Sequence, residues 1–402
     1  MTALRKFLKD NLVFGIASLL SGLFNYLYHV VLAHVLGPAR YGDLTTFLNV
    51  TALMVIPASV VTLVYTRLGK RPQPQQARRE SLYLWGAAAA LWGLVWAFNG
   101  PWGRILHVSG QLLVIYTAEV LPSLALAANV GILQRARWYI FVGLLGVVNT
   151  GFRVVAAAGA AWSGYRLTAV GILEGVAAWV TWGGSRYLAS RVHETGETTD
   201  AKVVSGTALV GIIDVLLGLA DGLLAKHALA ARAAGRYSGL STIGHSLQFM
   251  SQSLGTVMLT AIISDLSHRR RYLWITMAVY GTLAGIGEGL FVTRGTWLVT
   301  AILGRSFLPI VRFLPYYGWG MVALGLNNIV MLYSVALKRW EVLAASGLGL
   351  VYWIWRMTGL HQFRGFVRVT AQTQVAITLL AVAVIGIGAL VRSQHIKRSG
   401  PL

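Results

Sequence analysis

The residues in this sequence that could do chemistry are charged and polar side chains set inside long apolar runs. Gly15, Ser18, Gly22, Asn25 and His29 recur at spacings of three and four, which puts them on one face of a helix. Downstream, Gly211, Asp214, Gly218, Asp221 and Ala225 repeat that spacing, and Lys226 follows at once. Arg153 lies within the apolar run from Trp138 to Ala160, and Glu174 within the next one. A charged group at bilayer depth costs roughly 2.5–3.5 kcal/mol on insertion scales, so each must face protein or water and is a functional-site candidate.

Each candidate also has a plainer reading. The stripe can be close helix packing through small residues. Arg153 can pair with Glu174 or reach outward to the interface, Asp221 can bridge to Lys226, and Asp214 can make an interhelical hydrogen bond. Glu119 and Glu288 read as solvated helix ends, and Arg312 and Arg356 as cations reaching from helix ends to the interface.

No constellation for bond-making chemistry accompanies these residues. The G-x-x-x-x-G-K-[ST] loop is absent, and His193-Glu194 lacks the second His of a zinc helix. Gly285-x-Gly287-x-Gly289 sits in an apolar run with no strand before it, which argues against a dinucleotide loop. Cysteine does not occur, which excludes disulfides and thiolate chemistry. The sequence therefore predicts no catalytic residue, no metal and no cofactor, and a protein that is not an enzyme.

The elements that position these residues follow from composition. Of the residues, 56% are hydrophobic and 12% charged, too apolar for a soluble exterior. With the bilayer as solvent, the backbone must satisfy itself inside helices or closed barrels, and no stretch alternates with a barrel's period. Runs of roughly 20 apolar residues predict helices at about 12–36, 43–66, 82–99, 112–133, 138–160 and 167–189. Six more are expected at about 204–226, 238–263, 273–293, 311–336, 342–360 and 371–391. The expected fold is thus an all-α polytopic membrane protein with about twelve crossings. Arg5, Lys6 and Lys9 precede a first apolar run too long for a signal peptide, so a retained helix is expected there.

The charge is +21, from 34 Lys and Arg against 13 Asp and Glu, but it is spread over short connectors, which excludes a nucleic-acid-binding domain. Assigning alternate connectors to opposite sides puts most of these cations on one side, and Lys and Arg enrichment marks the cytoplasmic side. Both termini are then cytoplasmic. Lys226, Arg232, Arg236, Arg364 and Arg368 run against the bias, falling on the outer side of the second half.

A shift of 196 residues places Gly15, Ile16, Leu20, Gly22, Leu23 and Leu27 on Gly211, Ile212, Leu216, Gly218, Leu219 and Leu223. It continues through Arg40, Tyr41, Leu44 and Thr46 onto Arg236, Tyr237, Leu240 and Thr242. Six being even, the repeat is parallel. It predicts an N-terminal six-helix lobe at 1–190, a cytoplasmic linker at 191–203 and a C-terminal six-helix lobe at 204–402. Asn25 falls on Asp221, so the first helices of the two lobes are expected to face each other or a watery cleft.

Several stretches resemble the polysaccharide flippases of the multidrug, oligosaccharidyl-lipid and polysaccharide exporter superfamily. Leu36-Gly37-Pro38-Ala39-Arg40-Tyr41-Gly42 looks like that family's turn between helices one and two. Asp221 followed by Gly235-Arg236-Tyr237 is similar to its seventh-helix Asp and Gly-x-Tyr turn. Gly131-Ile132-Leu133-Gln134 resembles the end of its fourth helix, with Arg135 where a Gly is common. Arg153, and Gly304, Phe307, Asn327, Asn328 and Tyr333, resemble its fifth- and tenth-helix regions.

The resemblance implies two lobes around a central cavity, alternating access, and a cargo of anionic glycan on an isoprenoid pyrophosphate, moved across a bacterial or archaeal cytoplasmic membrane for cell-surface polysaccharide synthesis. On that reading Asn25, His29, Arg153, Glu174, Asp221 and Lys226 line the substrate cavity, with Arg153 toward the pyrophosphate. Asp221 and Asp214 are then candidates for coupling to H+ or Na+, and the chain acts as a monomer among membrane lipids. The alternatives are a cation-coupled multidrug exporter of the same superfamily and a polytopic glycan ligase or polymerase. For the latter the connectors are short.

Overall fold

The computed structural model describes residues 2–67, 74–136, 138–162, 166–192 and 201–398. Every element among them is helical, thirteen α-helices and one 310 helix. In order they are α1 (Thr2–Arg67), α2 (Pro74–Ala97), α3 (Asn99–Leu106), α4 (Gly110–Thr117), α5 (Val120–Arg135), α6 (Tyr139–Trp162) and α7 (Arg166–Ser190). Then follow α8 (Ala201–Ala228), α9 (Ala231–Ser264), α10 (Arg269–Leu303), the 310 helix (Arg305–Phe313), α11 (Leu314–Ala336), α12 (Trp340–Thr358) and α13 (Phe363–Arg398).

The crossings emerge from these pieces. α1 holds two, because Gly37 leaves helical geometry at φ 67°, ψ 174° and Pro38 restarts the helix. α2 and α3 form one bent by 67°, and α4 and α5 share the apolar stretch Gly110–Arg135. With α6 and α7 that makes six, and α8 to α13 make six more. The protein is an all-α polytopic membrane protein, as the sequence predicts.

Eight of these segments are long and apolar enough to cross a bilayer by composition alone, nine with the bent pair. α9 and α12 fall short. In α9 the reason is visible: Ser238, His245, Gln248 and Ser251 lower its hydropathy, yet all four are buried against protein instead of lipid.

The chain divides into two compact units, Met1–Val204 with Ala301–Ser306, and Ser205–Thr300 with Phe307–Leu402. Most of the expected linker, 193–200, lies outside the described residues. In the first unit α1 packs along α5 and α6, and α7 packs on α5 and α6. Polar side chains also bond neighbouring backbones, Thr62 of α1 to the Ala127 carbonyl of α5 at 3.1 Å and Trp92 of α2 to the Val114 carbonyl of α4 at 3.1 Å. In the second unit α11 is the central helix, packed by α9, α12 and α13. Gly320 lets α11 and α13 touch, since a Cβ there would sit 2.7 Å from the Ala371 Cα.

Three sequence expectations are corrected. The Gly235–Tyr237 stretch is not a turn: α9 begins at Ala231 and carries it on a helix. Arg364 and Arg368, expected in a connector, ride the first turns of α13, which starts at Phe363. Glu288 is no solvated helix end. It is 4% exposed within α10, and neither carboxylate oxygen has a hydrogen-bond partner among the described residues.

Candidate functional site

The first unit gathers a charged cluster where α1, α6 and α7 meet. Arg153 of α6 places its Nε 3.5 Å from Glu174 Oε1 of α7, and its Nη1 donates to Asn25 Oδ1 of α1 at 3.4 Å. The guanidinium lies 5.3 Å from the Tyr28 ring centroid, a cation–π contact. Tyr28 donates its hydroxyl to the same Glu174 oxygen, while Glu174 Oε2 has no partner. Glu119, the N-cap residue of α5 at the α4–α5 junction, is partly buried and lies within electrostatic reach of Arg153, so this helix end also belongs to the cluster.

Exposure separates the members. The Arg153 side chain is 22% exposed and that of Glu174 1%, so the pair presents cation outward and acid inward. One turn along α1, His29 Nδ1 and the Tyr41 hydroxyl lie 3.0 Å apart. Tyr41 stands just beyond the Gly37 break, which folds the second part of α1 back along the first.

The second unit centres on Asp221 of α8, 1% exposed. Its Oδ2 accepts from Tyr317 of α11 at 2.6 Å and Tyr237 of α9 at 2.9 Å, and its Oδ1 from the Gly222 N–H at 2.7 Å. Tyr237 also meets the Thr370 hydroxyl of α13 at 3.1 Å, so four helices converge on one carboxylate. Lys226 is buried, and the oxygens of Asp221 are held by phenols and a backbone amide.

Two turns earlier on α8, Asp214 accepts from Gln248 at 3.2 Å and Gln252 at 3.0 Å, and Asn328 of α11 faces the same carboxylate. Gln248 Oε1 and Asn328 Oδ1 are buried without a partner. Such oxygens beside a carboxylate are of the type that hard cations accept. No group of three or more His, Asp or Glu fit to hold a metal occurs among the described residues.

Of the residues singled out by sequence, Asn25, Arg153 and Glu174 thus come together, His29 lies beside them, and Asp221 and Asp214 organise separate polar clusters in the other unit. Tyr28, Tyr237, Tyr317, Gln248 and Gln252 were not anticipated. One signal was present: Tyr41 and Tyr237 coincide in the 196-residue repeat, and each bonds back to the polar stripe of its lobe's first helix. Nothing in the sequence marks Tyr317.

The fold of this helical bundle, with charged groups between its helices, matches those of solved membrane transporters. The fold is similar to the lipid II flippase MurJ in an inward closed conformation, with a TM-score of 0.71 at 13% identity over 93% of this chain and 87% of that one. It is also similar to an inward-facing multidrug resistance MATE family transporter of the MOP superfamily, TM-score 0.68 at 10% identity, covering 95% and 96%. The eukaryotic MATE transporter AtDTX14 gives 0.63 at 15% identity, covering 94% and 96%. No protein-family model matches the sequence, and no curated protein does. The chain has the MATE and MurJ-like fold of MOP-superfamily transporters.

Proposed function

We propose that the protein is a flippase that carries an oligosaccharide on an isoprenoid pyrophosphate from the cytoplasmic to the outer leaflet by alternating access, supplying cell-surface polysaccharide synthesis. The observation that carries this reading is Arg153. Its Nε is held by Glu174, yet its outer face is exposed within an apolar lobe and two of its bonds leave other N–H donors free. A guanidinium so held is suited to bind a pyrophosphate oxygen bidentately. Asn25 and His29 supply neutral hydrogen-bonding groups beside it.

Asp221 and Asp214 are the groups proposed to couple transport to H+ or Na+. Asp214 is the better cation ligand, because Gln248 Oε1 and Asn328 Oδ1 lie unclaimed near it. The working unit is a monomer in a bacterial or archaeal cytoplasmic membrane, with both termini inside and the halves 1–190 and 204–402 rocking about the cargo.

The acidic clusters of the second unit favour one other reading, a cation-coupled multidrug exporter, to which the MATE likeness lends equal weight. The test is complementation of a strain that lacks its own glycan-lipid flippase. Wild type restores outer-leaflet glycan, and Arg153→Ala restores it about 10–150-fold less, the equivalent of one charge-assisted hydrogen bond of about 1.5–3 kcal/mol. Resistance to cationic dyes without any glycan restored would replace this reading with the exporter.

A further inference from the structure

Three of the five cations that run against the positive-inside bias, Arg236, Arg364 and Arg368, are gathered by the fold together with Arg312. Arg236 of α9, Arg312 of the 310 helix and Arg364 and Arg368 of α13 line one cavity of about 930 Å3 within the second unit, with Tyr316 and Phe363 in its wall. No acidic residue lines it. None of the four arginines is in an ion pair among the described residues, and Arg236 Nε is buried without a hydrogen-bond partner.

Each of these placements is unfavourable for an empty protein. Arg364 and Arg368 are like charges one turn apart, which repel. Arg364 stands in the first turn of α13, where the macrodipole disfavours a cation, and Arg368 and Arg236 follow in the second turns of α13 and α9. The repeat accounts only for Arg236, which it places on Arg40; the same offset from Arg312, Arg364 and Arg368 reaches Tyr116, Thr168 and Ile172 in the first half. All these costs reverse sign if the cavity holds an anion, because helix N-termini and guanidinium groups then act on it together.

We infer that this cavity is a binding site for a phosphate oxyanion, set at the end of the second unit where α9, α11 and α13 begin. Its volume lies within the range of roughly 300–1,000 Å3 of ordinary ligand sites, so it admits a headgroup and not merely a bare ion. The aromatic wall suits the organic part that a phosphate ester carries. The phosphate can come from a lipid headgroup in the adjoining leaflet or from a soluble pyrophosphate. The inference stands apart from the cargo proposed above, because it uses none of the residues around Arg153.

The test uses the full chain in zwitterionic detergent, titrated with sodium pyrophosphate by calorimetry, and native mass spectrometry to compare retained phosphatidylglycerol with phosphatidylcholine. Arg364→Gln/Arg368→Gln changes two exposed side chains, and its melting temperature and monodispersity verify folding. Pyrophosphate binding at least tenfold weaker in this variant, and weakened further by salt, assigns the site to a soluble phosphate. Preferential retention of phosphatidylglycerol that the variant loses, with no pyrophosphate binding, assigns it to a lipid headgroup. Arg269→Gln, an exposed cation elsewhere on the second unit, should leave both signals unchanged. The inference is overturned if the double variant matches wild type in both assays, or if Arg269→Gln weakens binding as much as the double variant does.

Discussion

Arg153 and Glu174 form a pair in which only the acid is fully buried, and that asymmetry sets what each substitution does. Glu174→Gln removes the nearest compensating charge from a guanidinium that keeps solvent access and Glu119 within reach, so it should cost less than the roughly 3–5 kcal/mol of a fully buried pair. Replacing both by Met should recover most of that stability, since two apolar groups of similar length need no partner. Thermal unfolding of the purified protein reads the difference. Export should stay lost in the double variant, and full export there would show that the pair only holds helices together. A parallel case is Tyr317→Phe, which removes one of the two phenols on Asp221 and should cost about 1.5–3 kcal/mol as a hydrogen bond to a charged group. Tyr317→Phe with Tyr237→Phe should cost more than the sum of the two, because the Gly222 N–H alone would then face a buried carboxylate.

At the scale of the element, two glycines act by different physics. Gly37 sits at φ 67°, ψ 174°, a region open essentially to glycine, yet a Cβ there would meet nothing within 4 Å. Gly37→Ala should therefore cost about 1–3 kcal/mol of backbone strain, and a shift of the melting temperature would record it. Gly320 is ordinary helix, but its missing side chain is what lets α11 and α13 touch. Gly320→Leu should separate them and reduce the monodisperse fraction on size-exclusion chromatography, by an overpacking cost of about 1–3 kcal/mol. Gly289→Leu on the exposed face of α10 has open space around it and should behave as wild type.

At the scale of the whole molecule the orientation is testable because the chain contains no cysteine. Leu266→Cys, exposed between α9 and α10, is expected on the cytoplasmic side, and should react with an impermeant maleimide only in inverted vesicles. His361→Cys, exposed between α12 and α13, should react in intact cells. The reverse pattern would invert the molecule and move the arginine cavity to the inner leaflet.

What the sequence determined by itself is what the bilayer enforces locally. A lipid-exposed helix must be about 20 residues long, mostly apolar and internally hydrogen-bonded, so the helices that meet that requirement and the charges inside them were readable residue by residue, with α9 and α12 falling short of it. The pairing of Arg153 with Glu174 was readable too, as one of two alternatives, because the residues lie on consecutive helices. What only the tertiary structure decided is which polar face meets which. Periodicity shows that a helix has such a face, but not the rotation or neighbour that receives it. Tyr317 reaches Asp221 across 96 residues, and Glu288 is sealed by packing where a boundary shift would have left it wet. Of the four arginines of the second unit, Arg236, Arg364 and Arg368 looked like an imperfect topological signal and Arg312 like a cation reaching from a helix end to the interface. Four chain segments converging at one end of a bundle made them a single cavity, because side chains far apart in sequence share a surface only once the helices have packed.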